Sequence, residues 1–385
     1  MSEQQQFPFQ VPTKIVFGPG VLRRAGEFCS RYGRRALVVT GQQSTKTSGS
    51  LTLLQSALDQ AGVTSDLWDH ITPNPTCDLV DGGVRQAKDS AAEFIIGLGG
   101  GSALDAAKAI AVLATNEGSA ADYLQGTEPS QAGLPCVAIP TTAGSGAEVT
   151  NNAVLTDVAK RLKTSIRGEN LWPRLALVDP LLTVSMPPEL TAATGMDALT
   201  QHIEALASLK ANPVTDALAI RGAALTFRYL PTAVQQPDAL QARTNLALAS
   251  MTSGVALSNS GLGAAHGLSH PLGALYDLPH GLLCAVLLPY VMEFNLEVAK
   301  DKYAQLAPAF NIPIEGRSTE ELGQAAHRAV CDLSDRVGIP PCLRELGVAE
   351  DDLPWVAENA LRGSTLNNPR QAAKEDLLYL LEEAY

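Results

Sequence analysis

Histidine is scarce in this chain and unevenly placed: four of its six histidines fall between His202 and His280. Three of them, His266, His270 and His280, share the stretch HGLSHPLGALYDLPHG, fifteen residues from first to last. The i, i+4 spacing of His266 and His270 puts two imidazoles on one helical face. That helix is expected to end at Pro271, and His280 returns after a proline-containing turn. Upstream, TGMDALTQHIEA offers Asp197 from another helix. Imidazoles with one carboxylate suit Fe2+ or Zn2+ better than Ca2+ or Mg2+, which want oxygen cages. Any one of these histidines is most simply a hydrogen-bonded core residue. Three so close together point to a metal site.

A second kind of chemistry is written in glycine. The run EFIIGLG leads straight into GGSALDAAKAIAVLA, so Gly99, Gly100 and Gly101 precede Ser102 at an expected helix N-cap. Glycines allow close approach of backbone to a pyrophosphate, and a helix start offers free N–H groups and a positive dipole end. The spacing is not G-x-G-x-x-G, so the common dinucleotide fingerprint does not apply. After CVAIP comes PTTAGSGAEVT, which places the hydroxyls of Thr141, Thr142 and Ser145 at the end of a neighbouring strand. One such turn is ordinary packing, whereas two at successive strand ends favour a nucleotide site.

The elements that must position these groups follow from the apolar periodicity. β-rich runs at 14–17, 36–40, 93–99, 136–140 and 174–180 alternate with helix-period segments at 51–61 and 103–114, which predicts a mostly parallel sheet covered by helices. Past Asp179 the three- and four-residue spacing dominates, as at 214–229, 240–257, 320–337 and 371–383, and predicts an all-α half. Residues 1–183 and 184–385 are the expected domains. With 385 residues the chain has length for two cores. Its net charge of -12 disfavours a nucleic-acid partner. Neither a signal-peptide pattern nor an apolar run of about 18 residues stands out, so no membrane partner and a cytoplasmic location are expected. Six cysteines without CxxC pairing read as reduced thiols.

GGGSALDAAK, PTTAGSGAEVT, GMDALT and GAAHGLSHPLGALYDLPHG, in this order, resemble the iron-containing (group III) alcohol dehydrogenases, and the likeness runs from KIVFGPG through PNPT to the histidine cluster. The resemblance implies the dehydroquinate synthase-like architecture: an α/β Rossmann-like N-terminal domain, an all-α C-terminal domain, and a cleft between them for nicotinamide cofactor and metal. It implies reversible oxidation of a small alcohol to an aldehyde or ketone, in a homodimer or larger homo-oligomer. Carried over residue by residue, Asp197, His266 and His280 match the metal ligands. His270 matches a cleft histidine that relays a proton. Gly99, Gly100, Gly101, Ser102, Thr141, Thr142 and Ser145 match dinucleotide contacts, with Asn74 and Lys163 as weaker additions.

Two positions depart from the family pattern. The family has D-x-x-x-H, but here the fourth residue after Asp197 is Gln201, with His202 next. Four residues turn a helix by about 400°, which sets Gln201 beside Asp197, while His202 is rotated about 100° further. The expected set is then Asp197, Gln201, His266 and His280, with weakened affinity, or the metal is lost. The other departure follows ALVVT, where NAD-preferring members carry an acidic residue and this chain has Gly41, then Ser44, Thr45 and Lys46. Without that carboxylate a 2′-phosphate is not repelled, so NADP(H) is expected over NAD(H). Competing readings are a metal-independent reductase like maleylacetate reductase, a lyase or synthase like dehydroquinate synthase, and a non-catalytic binding protein.

Overall fold

The computed structural model describes residues 6–385. Six parallel strands form one sheet in the order β1-β8-β5-β4-β2-β3: β1 (Lys14–Phe17), β2 (Arg35–Gly41), β3 (Thr64–Ile71), β4 (Phe94–Gly99), β5 (Cys136–Pro140) and β8 (Leu175–Val178). Between β5 and β8, an antiparallel hairpin of β6 (Asn152–Asp157) and β7 (Leu162–Arg167) stands apart from the sheet. The helices of this half are α1 (Ala25–Cys29), α2 (Ser44–Thr47), α3 (Ser50–Gln60), α4 (Cys77–Asp89), α5 (Gly101–Leu113) and α6 (Ala120–Leu124). β4 is buried along its whole length, which is why it reads as an unbroken apolar run rather than an alternating one. Helices pack on both faces, with Ile95, Ala107 and Ile110 in one core and Leu54, Leu58, Ile96 and Leu98 in the other.

Every strand of that sheet expected from the periodicity is present, but three strands were not expected. β3 is an edge strand with exposed Asp66 and His70, and β6 and β7 alternate polar and apolar residues, so none carries a long apolar run. The register sets Thr40 beside Leu98 and Gly99 beside Pro140, so the carboxyl ends of β2, β4 and β5 lie side by side. Ligands of open α/β sheets bind at such ends.

From Pro188 the structure is helical: α7 (Pro188–Ala207), α8 (Pro213–Gln235), α9 (Leu240–Ser260), α10 (Ala264–Tyr276), α11 (His280–Ala304), α12 (Leu306–Ala309), α13 (Thr319–Arg336), α14 (Leu353–Asn359) and α15 (Lys374–Glu383). The chain is thus a Rossmann-like α/β domain followed by an all-α domain. α7 is buried on nearly every side, with α8, α9 and α11 packed around it. α11 does contain a window apolar enough to cross a membrane, which the sequence reading passed over. That window is mostly buried and its apolar residues Leu283, Leu287, Val291 and Met292 belong to the helical core.

Candidate active site

α10 carries His266 and His270, and α11 opens with His280. Pro271 does not end α10, contrary to expectation: the helix runs on to Tyr276, and the reversal comes at Asp277, whose φ of 51° is left-handed. The chain then re-enters a helix at His280 after two residues. This brings the rings of His266 and His280 to 5.4 Å and those of His270 and His280 to 5.5 Å, centre to centre.

Four side chains from α7, α10 and α11 converge: Asp197, His266, His280 and Cys284 each offer a donor atom within 4.8 Å of the others. Asp197 Oδ1 lies 3.3 Å from His266 Nε2, yet both atoms are buried with no hydrogen-bond partner. Orphaned buried polar atoms cost about 1–3 kcal/mol each unless something else satisfies them. A divalent cation is the group that fits a carboxylate oxygen, two imidazole nitrogens and a sulfur. Behind His266, the Glu204 carboxylate accepts from Nδ1 at 2.6 Å and from the Ala265 N–H at 2.7 Å, fixing which nitrogen faces the cluster. Ser269 Oγ sits 3.3 Å from His280 Nδ1.

Electrostatics differentiate the three imidazoles. Burial alone would lower all three. For His266 the facing Cys284, Glu204 and Asp197 outweigh it and hold the ring well above its ordinary pKa. His270 and His280 fall well below theirs through burial, then Lys163 and His266. Burial also raises the Cys284 thiol.

Gln201 and His202 go separate ways. Gln201 is buried, and its Oε1 accepts from Ser253 Oγ on α9 at 2.6 Å. His202 is fully buried between α8 and α9, its Nε2–H donating to the Ala249 carbonyl at 3.0 Å, in space left by the missing side chain of Gly222. Sequence reasoning missed Glu204 and Cys284. Glu204 is seven residues after Asp197, two helical turns along the same face, and Cys284 is i+4 from His280, so both spacings were legible.

The glycine turns meet each other. Ser102 is not the N-cap of α5; that position is Gly100, with Ser102 inside the first turn. A Cβ on Gly100 would lie 3.2 Å from Thr142 Cγ2, and one on Gly101 2.9 Å from Ser145 Oγ. Gly99 has φ of 153°, and the Thr141 N–H donates to its carbonyl at 2.9 Å. The result is a close-packed backbone turn at the ends of β4 and β5, closed by threonine and serine. Buried Lys108 of α5 braces it, donating to the Ala147 carbonyl (3.0 Å) and Thr150 Oγ1 (2.9 Å) and pairing with Asp105 at 2.8 Å.

At the end of β2, a Cβ on Gly41 would meet only the Ile71 carbonyl, at 3.5 Å. Ser44 is exposed, Thr45 is buried with its hydroxyl 2.8 Å from that of Thr40, and Lys46 is ion-paired with Asp69 of β3. Asn74 accepts from Lys163 Nζ at 2.7 Å and donates to Asp277 at 2.6 Å, so β7, the β3–α4 loop and the end of α10 are tied together. A cavity of about 560 Å³ opens at this junction, lined by Thr72, Asn74, Thr156, Arg161, Gly273 and Asp277.

Both halves of the chain match known families. Residues 12–180 match the model for iron-containing alcohol dehydrogenase, and residues 191–385 that for the C-terminal region of the Fe-containing alcohol dehydrogenase family. The chain is 39% identical to 1,3-propanediol dehydrogenase of Klebsiella pneumoniae, with 99% of each chain covered. It is 36% identical to NAD-dependent methanol dehydrogenase of Bacillus methanolicus, covering 98% of this chain and 99% of the relative. The crystal structure of a 1,3-propanediol oxidoreductase superposes with a TM-score of 0.95 at 38% identity, covering 99% of this chain and 100% of the other. Two matched halves around one cleft settle the family: the chain belongs to the iron-containing alcohol dehydrogenases, oxidoreductases that interconvert alcohols and carbonyl compounds with a nicotinamide cofactor and a divalent metal.

Proposed function

We propose that this enzyme interconverts a small alcohol and its aldehyde with NADP(H) in preference to NAD(H), in the cytoplasm and as a homodimer or larger homo-oligomer. In this reading a cofactor domain ends near residue 183, and the helical remainder holds metal and substrate. The observation that carries the reading is the pairing of orphaned Asp197 Oδ1 and His266 Nε2 with a glycine cradle at the ends of β4 and β5.

Gly99, Gly100 and Gly101 present backbone to the cofactor diphosphate, while Ser102, Thr141, Thr142 and Ser145 supply hydroxyls around it. Asn74 and Lys163 hold the far side of the cleft, Lys163 Nζ donating to Asn74 at 2.7 Å. Asp197, His266 and His280 are the metal-holding side chains. Gln201 is the weaker member of the expected set, since its amide oxygen already accepts from Ser253. When bound, a divalent metal polarises the substrate oxygen and lowers the alcohol's pKa. His270, its ring 5.5 Å from that of His280, is the cleft histidine that would relay the hydroxyl proton. A nicotinamide held by the glycine cradle would supply the hydride acceptor for the carbinol carbon.

The preference for NADP(H) rests on Gly41, where no carboxylate opposes a 2′-phosphate, and on Ser44 and Lys46 nearby. Asp69 competes for Lys46, so the preference is moderate rather than absolute. Steady-state kinetics over a panel of small alcohols and aldehydes test both parts. Higher kcat/KM with NADPH is expected for the natural chain, and Gly41→Asp, for which there is room, reverses the order. A higher kcat/KM with NADH in the natural chain would refute the preference. Full turnover by metal-stripped protein would refute the metal's role.

A further inference from the structure

The position where the family pattern has its third imidazole holds Gln201, and that amide oxygen is engaged by Ser253 Oγ at 2.6 Å. Across the cluster, one turn after His280 on α11, stands Cys284, fully buried, its Sγ 3.7 Å from His280 Nε2. Resting on the metal-site reading above, we propose that Cys284, as thiolate, is the fourth metal ligand, so that the site is Asp197, His266, His280 and Cys284 and prefers Zn2+ to Fe2+.

The spacing supports this independently of the residue types. A tetrahedral ion with bonds of about 2.0–2.3 Å to oxygen, nitrogen and sulfur sets its O–N pairs about 3.4 Å apart and its N–S pairs about 3.6 Å apart. Asp197 Oδ1 and His266 Nε2 are 3.3 Å apart, and His280 Nε2 and Cys284 Sγ are 3.7 Å apart. Both lengths match edges of such a tetrahedron, and all four donor atoms lie within 4.8 Å of one another. The i, i+4 spacing places His280 and Cys284 on one face of α11 by helical geometry alone. Asp197 Oδ1 and His266 Nε2 are the buried, unpartnered atoms aimed into the same space.

Charge points the same way. On loading, the Cys284 thiol loses its proton to solvent and forms the metal–sulfur bond, so carboxylate plus thiolate neutralise a dication in this buried space. With Gln201 instead, one positive charge would remain buried without a counter-charge. A thiolate is a soft donor, which moves the site's selectivity from iron toward zinc.

The test uses the full-length enzyme, stripped of metal and reloaded with Co2+ or Zn2+, and compares the natural chain with Cys284→Ser, Cys284→Ala and Gln201→Ala. The natural protein loaded with Co2+ should show a near-ultraviolet sulfur-to-cobalt charge-transfer band, absent from both Cys284 variants and retained in Gln201→Ala. Zn2+ affinity should fall in the Cys284 variants by at least the roughly 10–100-fold that loss of a supporting group costs, and stay within a few-fold in Gln201→Ala. Circular dichroism establishes that each variant is folded. A natural protein that binds Co2+ without the band, or a band that persists in Cys284→Ser, overturns the Cys284 assignment and leaves the metal site standing. No binding of either ion by the natural protein overturns both.

Discussion

Glu204 shows how much of a site lies one bond behind it. Its two carboxylate oxygens serve different masters: one orients the His266 ring and the other receives the Ala265 N–H in the first turn of α10. Replacing Glu204 with Gln keeps an acceptor but removes the charge that makes the imidazole a better donor to a cation. We expect a 10–100-fold loss of Zn2+ affinity with the fold retained, measured by competition with a chromophoric chelator. Unchanged affinity would reduce Glu204 to a helix-start acceptor. The residue scale is also where the sequence was least complete. Asp197, His266 and His280 announce themselves because histidine is rare and clustered here. Glu204 and Cys284 do not, because glutamate and apolar-looking cysteine are ordinary in buried helices and gain meaning only when three helices converge.

Two side chains lock elements together. His202 joins α7 to α9 as a neutral donor, and burial lowers its pKa to about 4 from its ordinary 6.5. A base held below its unfolded value contributes stability that is fully present above about pH 6.5 and lost as pH falls toward about 4. By pH 5 this amounts to about 2 kcal/mol, so His202→Asn should lose less stability than the natural chain between pH 7.5 and 5 in urea titrations. Parallel slopes would show that the imidazole is not the group titrating. Lys108 is the counterpart in the α/β half, where it fastens α5 to the turn after β5. Lys108→Ala leaves Asp105 without its partner and should cost about 3–5 kcal/mol. It should also raise KM for the cofactor, because the turn that closes the cradle loses its brace. Denaturant unfolding and cofactor titration read the two effects separately. Elements with an unbroken apolar run, such as β4, are plain in the sequence. α10 is misread at Pro271, since proline removes one backbone bond without ending a helix that its neighbours hold in place.

At the scale of the whole molecule, the two domains meet backbone to backbone. Gly146, in the turn after β5, has φ of 61°, and its carbonyl would lie 2.3 Å from a Cβ added to Gly254 of α9. Nothing there is a flexible tip able to move aside. Gly254→Ala therefore has to push the helical domain off the cradle, shifting the metal donors relative to the nicotinamide. A displacement of about 1 Å can cost about 100-fold in rate, and we expect a loss of that order in kcat/KM with metal content unchanged. Near-normal turnover would mean that the interface relaxes elsewhere. The change from α/β to all-α structure was legible because periodicity changes from alternating strand and helix to helix alone, whereas this contact was not, since two glycines far apart in sequence give no sign that they touch.

The sheet also has an outer limit, and β3 marks it. Its unpaired edge would otherwise accept a strand from any neighbouring chain, including a newly synthesised copy. Asp66 and His70 are exposed along that strand, and Asp69 beside them is paired to Lys46. These are the residues that broke the apolar pattern and hid β3 from view. Polarity that makes a strand hard to recognise makes it equally hard to recruit into an aggregate, so the residues that hide β3 also blunt its open edge.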